Sequence, residues 1–264
     1  MMLFRATLTN KTLPMETTKF MIEADSLTKH YGQFSAIQNV TFSVPRGQVA
    51  AFLGPNGAGK STTLKILTGY LAPTSGKVRI AGFDLSNQRK SAAKIIGYLP
   101  ENGPLYLDMT PASLLSFFAE ARGILGEKQA KRIEEVSEQF GITQVLHKPI
   151  YKLSKGYRQR VGMAQVLLHE PDVLIMDEPT AGLDPNQIRD VRAIIRELGK
   201  TKTVLLSTHI LQEVDAVADR VIFIHEGKIV FDGKPSDMNI EGKGREHFFH
   251  HLTGALETAE EPIE

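Results

Sequence analysis

Residues 54–61 read GPNGAGKS and directly follow the apolar run Ala50-Ala51-Phe52-Leu53. No other stretch restricts the possible folds as tightly. The pattern is G-x-x-x-x-G-K-[ST], set in the order strand, glycine-rich loop, helix. Gly54, Gly57 and Gly59, with Pro55, Asn56 and Ala58 among them, let the backbone wrap closely around a polyphosphate. The loop N–H groups and the start of the following helix then point at the anion. Lys60 is placed to reach the β- and γ-phosphates. Ser61 is placed to ligate Mg²⁺ through its hydroxyl, and Thr62 to add a donor to the phosphates. At average residue usage the fixed positions arise by chance about once in a hundred chains of this length. The strand-loop-helix setting lowers that further, so the pattern predicts nucleotide binding.

The rest of the chain alternates in a way that suits such a loop. Apolar, strand-like runs are expected at 20–27, 36–44, 48–53, 77–80, 95–99, 173–176, 203–207, 221–225 and 229–231. Helices are expected at 60–68, 155–168 and 185–198, the last with Ile188, Val191, Ile195 and Leu198 on one face. The middle changes character: 111–124, 127–140 and 142–147 all read as helical, and Ile133, Val136 and Phe140 recur at helical spacing. Apolar strands alternating with helices imply a largely buried parallel sheet, so the fold class is α/β with a helical insertion. Within that insertion Phe117 and Phe118 are expected to pack into the core. Residues 1–19 show no clear periodicity and read as an extension, with Met15 and Met21 as alternative starts. After Gly233 the chain becomes a polar tail with one apolar patch at Phe248, Phe249 and Leu252.

Composition excludes several classes. At 264 residues the chain can form one large domain or a domain with a subdomain. Hydrophobic residues are 42% and charged residues 23%, the balance of a soluble globular protein. The net charge of +1 gives no wholesale attraction to nucleic acid. Cysteine is absent, which excludes disulfides and thiolate metal sites and fits a cytosolic setting. No apolar run reaches the length of a membrane span, because 105–125 contains Asp108, Glu120 and Arg122. The first residues lack the apolar core of a signal peptide.

Acidic groups complete the candidate site. Residues 173–178 read VLIMDE, four apolar residues with two carboxylates at the C-terminal end of a buried strand. Ligands of open α/β sheets bind at strand C-termini. Asp177 is thus placed to hold Mg²⁺, and Glu178, pointing elsewhere, to polarise the water that attacks a γ-phosphate. A further acid follows a strand end at GYLPENGP, residues 97–104. Taken alone, Glu101 fits a solvated turn as well as it fits a functional group.

The order of further motifs settles the family expectation. LSKGYRQR at 153–160 precedes the acidic strand, AGLDP at 181–185 follows it, and Thr208-His209 ends the next strand. With GPNGAGKST, this order resembles the nucleotide-binding subunit of ABC transporters over 20–233. The resemblance implies a P-loop NTPase (RecA-like) core, an inserted α-helical subdomain at about 102–160 and an N-terminal antiparallel β subdomain. It also implies ATP and Mg²⁺ as ligands. Ser154 and Gly156 match the family signature, which caps the γ-phosphate held by the opposite subunit. A helix N-terminus suits that task electrostatically. Asp184 resembles the aspartate that communicates across the dimer, His209 the histidine that contacts the γ-phosphate, and Tyr31 the aromatic that stacks on adenine. Glu101 stands where most of the family carries a glutamine that approaches Mg²⁺ and the attacking water.

Two departures define a subtype. Lys155 replaces a signature glycine and Tyr157 the usual glutamine, while Glu101 replaces the other glutamine. Together they resemble a branch of bacterial export ATPases that includes gliding-motility and multidrug types. Residues 245–253 more weakly resemble that branch's short C-terminal helix. The expected partners are an integral membrane permease and a second ATPase subunit, identical or related, with no nucleic acid. The expected place is peripheral, at the cytoplasmic face of the inner membrane. The alternative is a soluble ABC ATPase acting on DNA or ribosomes. Such proteins usually carry tandem cassettes or long coiled-coil insertions, and this chain shows neither.

Overall fold

The computed structural model describes residues 18–101, 103, 105–238 and 249. Residues 1–17 of the extension expected at 1–19, Asn102, Pro104 and most of the tail therefore lie outside the described residues. Of the helix expected at 245–253 only Phe249 is described; it is helical, and its ring stacks on Phe223 at 5.0 Å.

Two sheets form the frame. β1 (Phe20–Tyr31) and β2 (Phe34–Pro45) pair antiparallel, with Tyr31 opposite Phe34 at the turn. β4 (Ser75–Ile80) joins the free edge of β1, and the two-residue β5 (Phe83–Asp84) joins β4, giving the order β2-β1-β4-β5. The second sheet contains β3 (Val49–Leu53), β6 (Ile96–Leu99), β7 (Val173–Asp177), β8 (Thr203–Thr208), β9 (Arg220–His225) and β10 (Lys228–Gly233). Its order is β10-β9-β3-β8-β7-β6, and only the β9–β10 hairpin is antiparallel.

The parallel strands read as continuous apolar runs because both of their faces are covered. On β3, Ala50 and Phe52 pack with Leu64, Leu67, Val44 and Ile22, between the two sheets. Val49 faces the opposite side, with Val204, Ile195 and Val161. Each leucine or phenylalanine fully buried in these layers contributes about 1.5–3 kcal/mol of transfer free energy. The helix α1 (Lys60–Leu67) fills the space between the sheets. On the far side lie α5 (Lys155–Leu167) and α6 (Pro185–Gly199). The same cluster takes in α3 (Pro111–Ala121) and α4 (Glu127–Gln139), the helical insertion.

Differences from expectation have local causes. Residues 142–147 form only a short 3₁₀ turn at Thr143–Val145, because Gly141 (φ +60) breaks the helix before it and Pro149 follows closely. Two helices were not foreseen: α2 (Arg89–Ile95) and α7 (Leu211–Val217). Phe118 does pack against the core, whereas Phe117 is 48% exposed and meets Tyr106 edge-on at 6.0 Å.

Candidate functional site

The phosphate loop needs glycine for two separate reasons. Gly57 (φ +81) and Gly59 (φ +106) adopt left-handed conformations. A Cβ on Gly59 would also sit 2.6 Å from Ile37 Cγ2, and one on Gly54 would collide with the Ile224 carbonyl. The first turn of α1 then leaves N–H groups without helical partners, aimed back toward the loop. Lys60 is only 6% exposed. Its ammonium donates to the Gly54 carbonyl at 2.8 Å and the Pro55 carbonyl at 3.1 Å, and pairs with Glu178 Oε1 at 3.2 Å.

Asp177 and Glu178 diverge at the end of β7. Asp177 is 3% exposed, and its Oδ1 accepts from the Ser207 hydroxyl at 2.6 Å. The Glu178 backbone turns to φ +47, a conformation costly for any residue with a side chain, and its N–H donates to Ser207 Oγ at 2.9 Å. Ser207 therefore fixes both acids at once. Glu178 Oε2 lies 2.9 Å from His209 Nδ1. A carboxylate can only accept, so Nδ1 carries the proton in this pair. The His209 side chain is 42% exposed and forms the outer wall of the site.

These groups converge on an open cleft of about 380 Å³. Tyr31, Gly59, Lys60, Ser61, Glu101, Glu178 and His209 all line it, as do Asn56, Gly57 and Thr62. A second cavity of about 540 Å³ adjoins it, sharing Ser61 and Glu101 and adding Asp177. The three groups expected to meet a metal thus face one space. A serine hydroxyl and two carboxylates are hard oxygen donors of the type Mg²⁺ prefers. Ser207 engages Asp177 through Oδ1, which steadies the carboxylate at the edge of that cavity. The residues therefore fit the ion.

The signature elements lie elsewhere. Ser154 caps α5, its hydroxyl accepting from the Tyr157 N–H at 3.3 Å. Gly156 abuts α6, where a Cβ would sit 2.6 Å from Gln187 Cδ. Asp184 caps α6, its carboxylate accepting from the Asn186 and Gln187 N–H groups at 3.0 Å. None of Ser154, Gly156 and Asp184 lines the cleft of Lys60. The departures are accommodated in place. The Tyr157 hydroxyl accepts from Gln144 Nε2 at 2.7 Å, and the Lys155 side chain covers Gly182.

Several site groups carry no spacing signal. Phe34 lies 65% exposed at the cleft beside Tyr31, a second aromatic where only one was singled out. An exposed aromatic at a hairpin turn is the cue that would have found it. Ser207 is hidden within an apolar strand. Tyr98 lines the metal-side cavity, and its hydroxyl is buried without a hydrogen-bond partner among the described residues. Burial, and then the charge of Asp177, raise its pKa.

Comparison with known proteins identifies the family. The family model described as ABC transporter matches residues 37–181. The probable multidrug ABC transporter ATP-binding protein YbhF of Escherichia coli (strain K12) is 38% identical over 227 residues. That alignment covers 86% of this chain but 39% of YbhF, so the chain spans well under half of that relative. The uncharacterized ABC transporter ATP-binding protein YxlF of Bacillus subtilis (strain 168) is 39% identical over 83% of this chain and 72% of its own length. The bacitracin transport ATP-binding protein BcrA of Bacillus licheniformis is 38% identical, covering 80% and 68%. A solved ATP-binding subunit of an ABC transporter superposes with a TM-score of 0.79 at 30% identity, covering 88% of this chain and 99% of that one. The ATP-binding cassette MJ0796, solved as a dimer in a post-hydrolysis state with ADP and Pi, gives 0.73 at 26% identity, covering 81% and 99%. The chain belongs to the ABC transporter family, and the domain it carries is that family's ATP-binding domain.

Proposed function

We propose that the chain binds and hydrolyses ATP as one half of a dimer, and that this drives export through a separate membrane permease. The observation that carries the hydrolytic reading is the Lys60–Glu178–His209 chain of contacts within one cleft. Tyr31 and Phe34 offer aromatic faces to adenine, and the glycine loop with Lys60 holds the polyphosphate. Ser61, Asp177 and Glu101 would hold Mg²⁺, which supplies positive charge to the β- and γ-phosphate oxygens. Both oxygens of Glu178 are engaged, one by Lys60 and one by His209. A phosphate competes for Lys60, and that competition releases Oε1 to accept from a water. The water oxygen then attacks the γ-phosphorus, the bond to the β,γ-bridging oxygen breaks, and the proton passes toward Glu178. His209 keeps its Nδ1–H on Glu178 and so orients that carboxylate, with the ring facing the transferring phosphoryl group from the open side.

The dimer follows from the separation of the two phosphate-binding elements. The N-terminus of α5 does not line the cleft of its own phosphate loop, which supports the reading that it caps the nucleotide of a second subunit. BcrA is named for bacitracin transport and YbhF as a probable multidrug transporter ATP-binding protein, and cargo of that kind suits export as the direction. The exposed Tyr106, Leu107, Phe117 and Tyr151, all in the helical insertion, form the apolar face offered to the permease. No helix among the described residues is long and apolar enough to cross a membrane. Peripheral attachment through the permease, at the cytoplasmic face, suits that surface.

Steady-state ATP hydrolysis by Glu178→Gln tests the reading. Turnover is expected to fall by at least ~10²-fold with ATP affinity retained, the range for losing a general base. Turnover equal to wild type would remove Glu178 from that role.

A further inference from the structure

Glu213 is a buried carboxylate that the hydrolytic cycle does not use. It lies in α7 and is 2% exposed. Its two oxygens accept from two threonine hydroxyls, Thr180 Oγ1 and Thr208 Oγ1. Thr180 lies two residues beyond Glu178, and Thr208 immediately precedes His209. The two loops that carry the reacting pair are therefore tied to one carboxylate.

The surrounding contacts make the tie directional. Thr208 Oγ1 accepts from the Ile210 N–H at 3.0 Å, which turns its own proton toward Glu213. Thr180 sits inside a turn closed by Ala181 N–H donating to the Glu178 carbonyl at 3.0 Å. That turn begins at the strained φ of Glu178 (+47), and such strain persists only where neighbours over-determine it. Ser207 holds the N-terminal side of the turn, and Glu213 holds the other. The helix itself is anchored, with Val214 buried against Leu53, Val221 and Phe223, and the Ala216 carbonyl accepting from Arg196. An ionised carboxylate out of water is costly unless hydrogen-bonded, and an apolar side chain would fill the space more cheaply.

We infer that Glu213 is a positioning residue: it clamps the Glu178 turn to the His209 loop and so sets the 2.9 Å contact between them. Glu213 touches neither reacting side chain; it acts through Thr180 and Thr208. This rests on Glu178 and His209 acting as proposed above.

The test uses the full chain and two kinds of readout. The variants are Glu213→Gln, Thr180→Val, Thr208→Val, and the conservative Thr180→Ser and Thr208→Ser. Glu213→Gln keeps the length but can accept on one side only. It is expected to lower kcat by roughly ten- to a hundredfold while KM for ATP stays within about twofold, the signature of misplacement at the reacting groups. The valine variants should do likewise, and the serine variants should restore wild-type kcat. The ¹⁵N resonance of His209 Nδ1 should move in Glu213→Gln and the valine variants and stay put in the serine variants. Wild-type kcat and an unmoved resonance, with only a lowered Tm, would overturn the inference. Should Glu213→Gln fail to fold, the valine and serine pairs carry the test. Failure of the underlying reading looks different: Glu178→Gln would turn over normally while the His209 resonance still responded to Glu213→Gln.

Discussion

Single groups in this protein are governed by what their neighbours permit. Lys60, Ser61 and Asp177 were legible because their spacing follows from the phosphate geometry they serve. Ser207, Glu213 and Phe34 were not, because each acts through a partner distant in sequence and no local pattern marks such a residue. His169 is another of this kind. It follows α5, and its Nε2 donates to the Ile96 carbonyl at 2.9 Å. Burial, and then the charge of Arg122, lower its pKa from 6.5 to about 4. The folded ring stays neutral where the unfolded ring is protonated, so between about pH 6.5 and 4 the unfolded state binds more protons. Stability therefore falls as pH drops through that window, by on the order of 2 kcal/mol after allowance for partial exposure. His169→Gln keeps a donor for Ile96 but cannot titrate. Its Tm is expected to fall less than that of wild type between pH 7 and pH 4.5. Equal falls would show that His169 is not the group responsible.

Elements were legible in proportion to their length. β3, β7 and β8 announced themselves as apolar runs, and α5 and α6 as long periodic segments. The unforeseen α2 and α7 have seven residues each, under two turns, too short to display a period of 3.6. The most informative element is the start of α5, where one serine caps the helix and, in the dimer proposed above, also meets the partner's nucleotide. As N-cap it satisfies the Tyr157 N–H, and in a dimer it would face the partner's γ-phosphate. Substitution can separate the two duties. Ser154→Ala loses the cap, about 1 kcal/mol, which corresponds to a Tm fall of about 2–4 °C in a domain of this size. Ser154→Asp is an equally good cap and should leave Tm within about 1 °C of wild type. Its carboxylate, however, would stand against the partner's phosphate, so ATP-induced dimerisation of a Glu178→Gln background should disappear in size-exclusion chromatography. Persistence of the dimer in Ser154→Asp would mean that the α5 N-terminus does not meet the nucleotide.

At the scale of the whole molecule, the question is how a nucleotide event on the sheet reaches the helical insertion. Glu101 is the natural link, since it lines both the cleft of Lys60 and the cavity containing Asp177 and stands between β6 and α3. An ionised carboxylate near polyphosphate is repelled unless the metal or its water engages it. That gives the side chain different interaction energies with and without Mg-nucleotide, the requirement for any coupling between two states. The exposed aromatic face at Tyr106 and Phe117 begins only a few residues beyond, so movement of this segment would displace the surface proposed above to meet the permease. Glu101→Ala removes the lever while leaving the glycine loop, Lys60 and Asp177 intact. In the complex captured from solubilised membranes, ATP affinity should change by less than about threefold. Substrate-stimulated turnover should fall by about five- to a hundredfold, the span of ordinary coupling energies. Glu101→Gln retains the length and can still ligate through its carbonyl oxygen, so it should preserve most of the coupling. A wild-type coupled rate in Glu101→Ala would return this acid to the status of a solvated turn residue. Loss of ATP affinity equal to the loss of coupled turnover would instead place it wholly within the metal site.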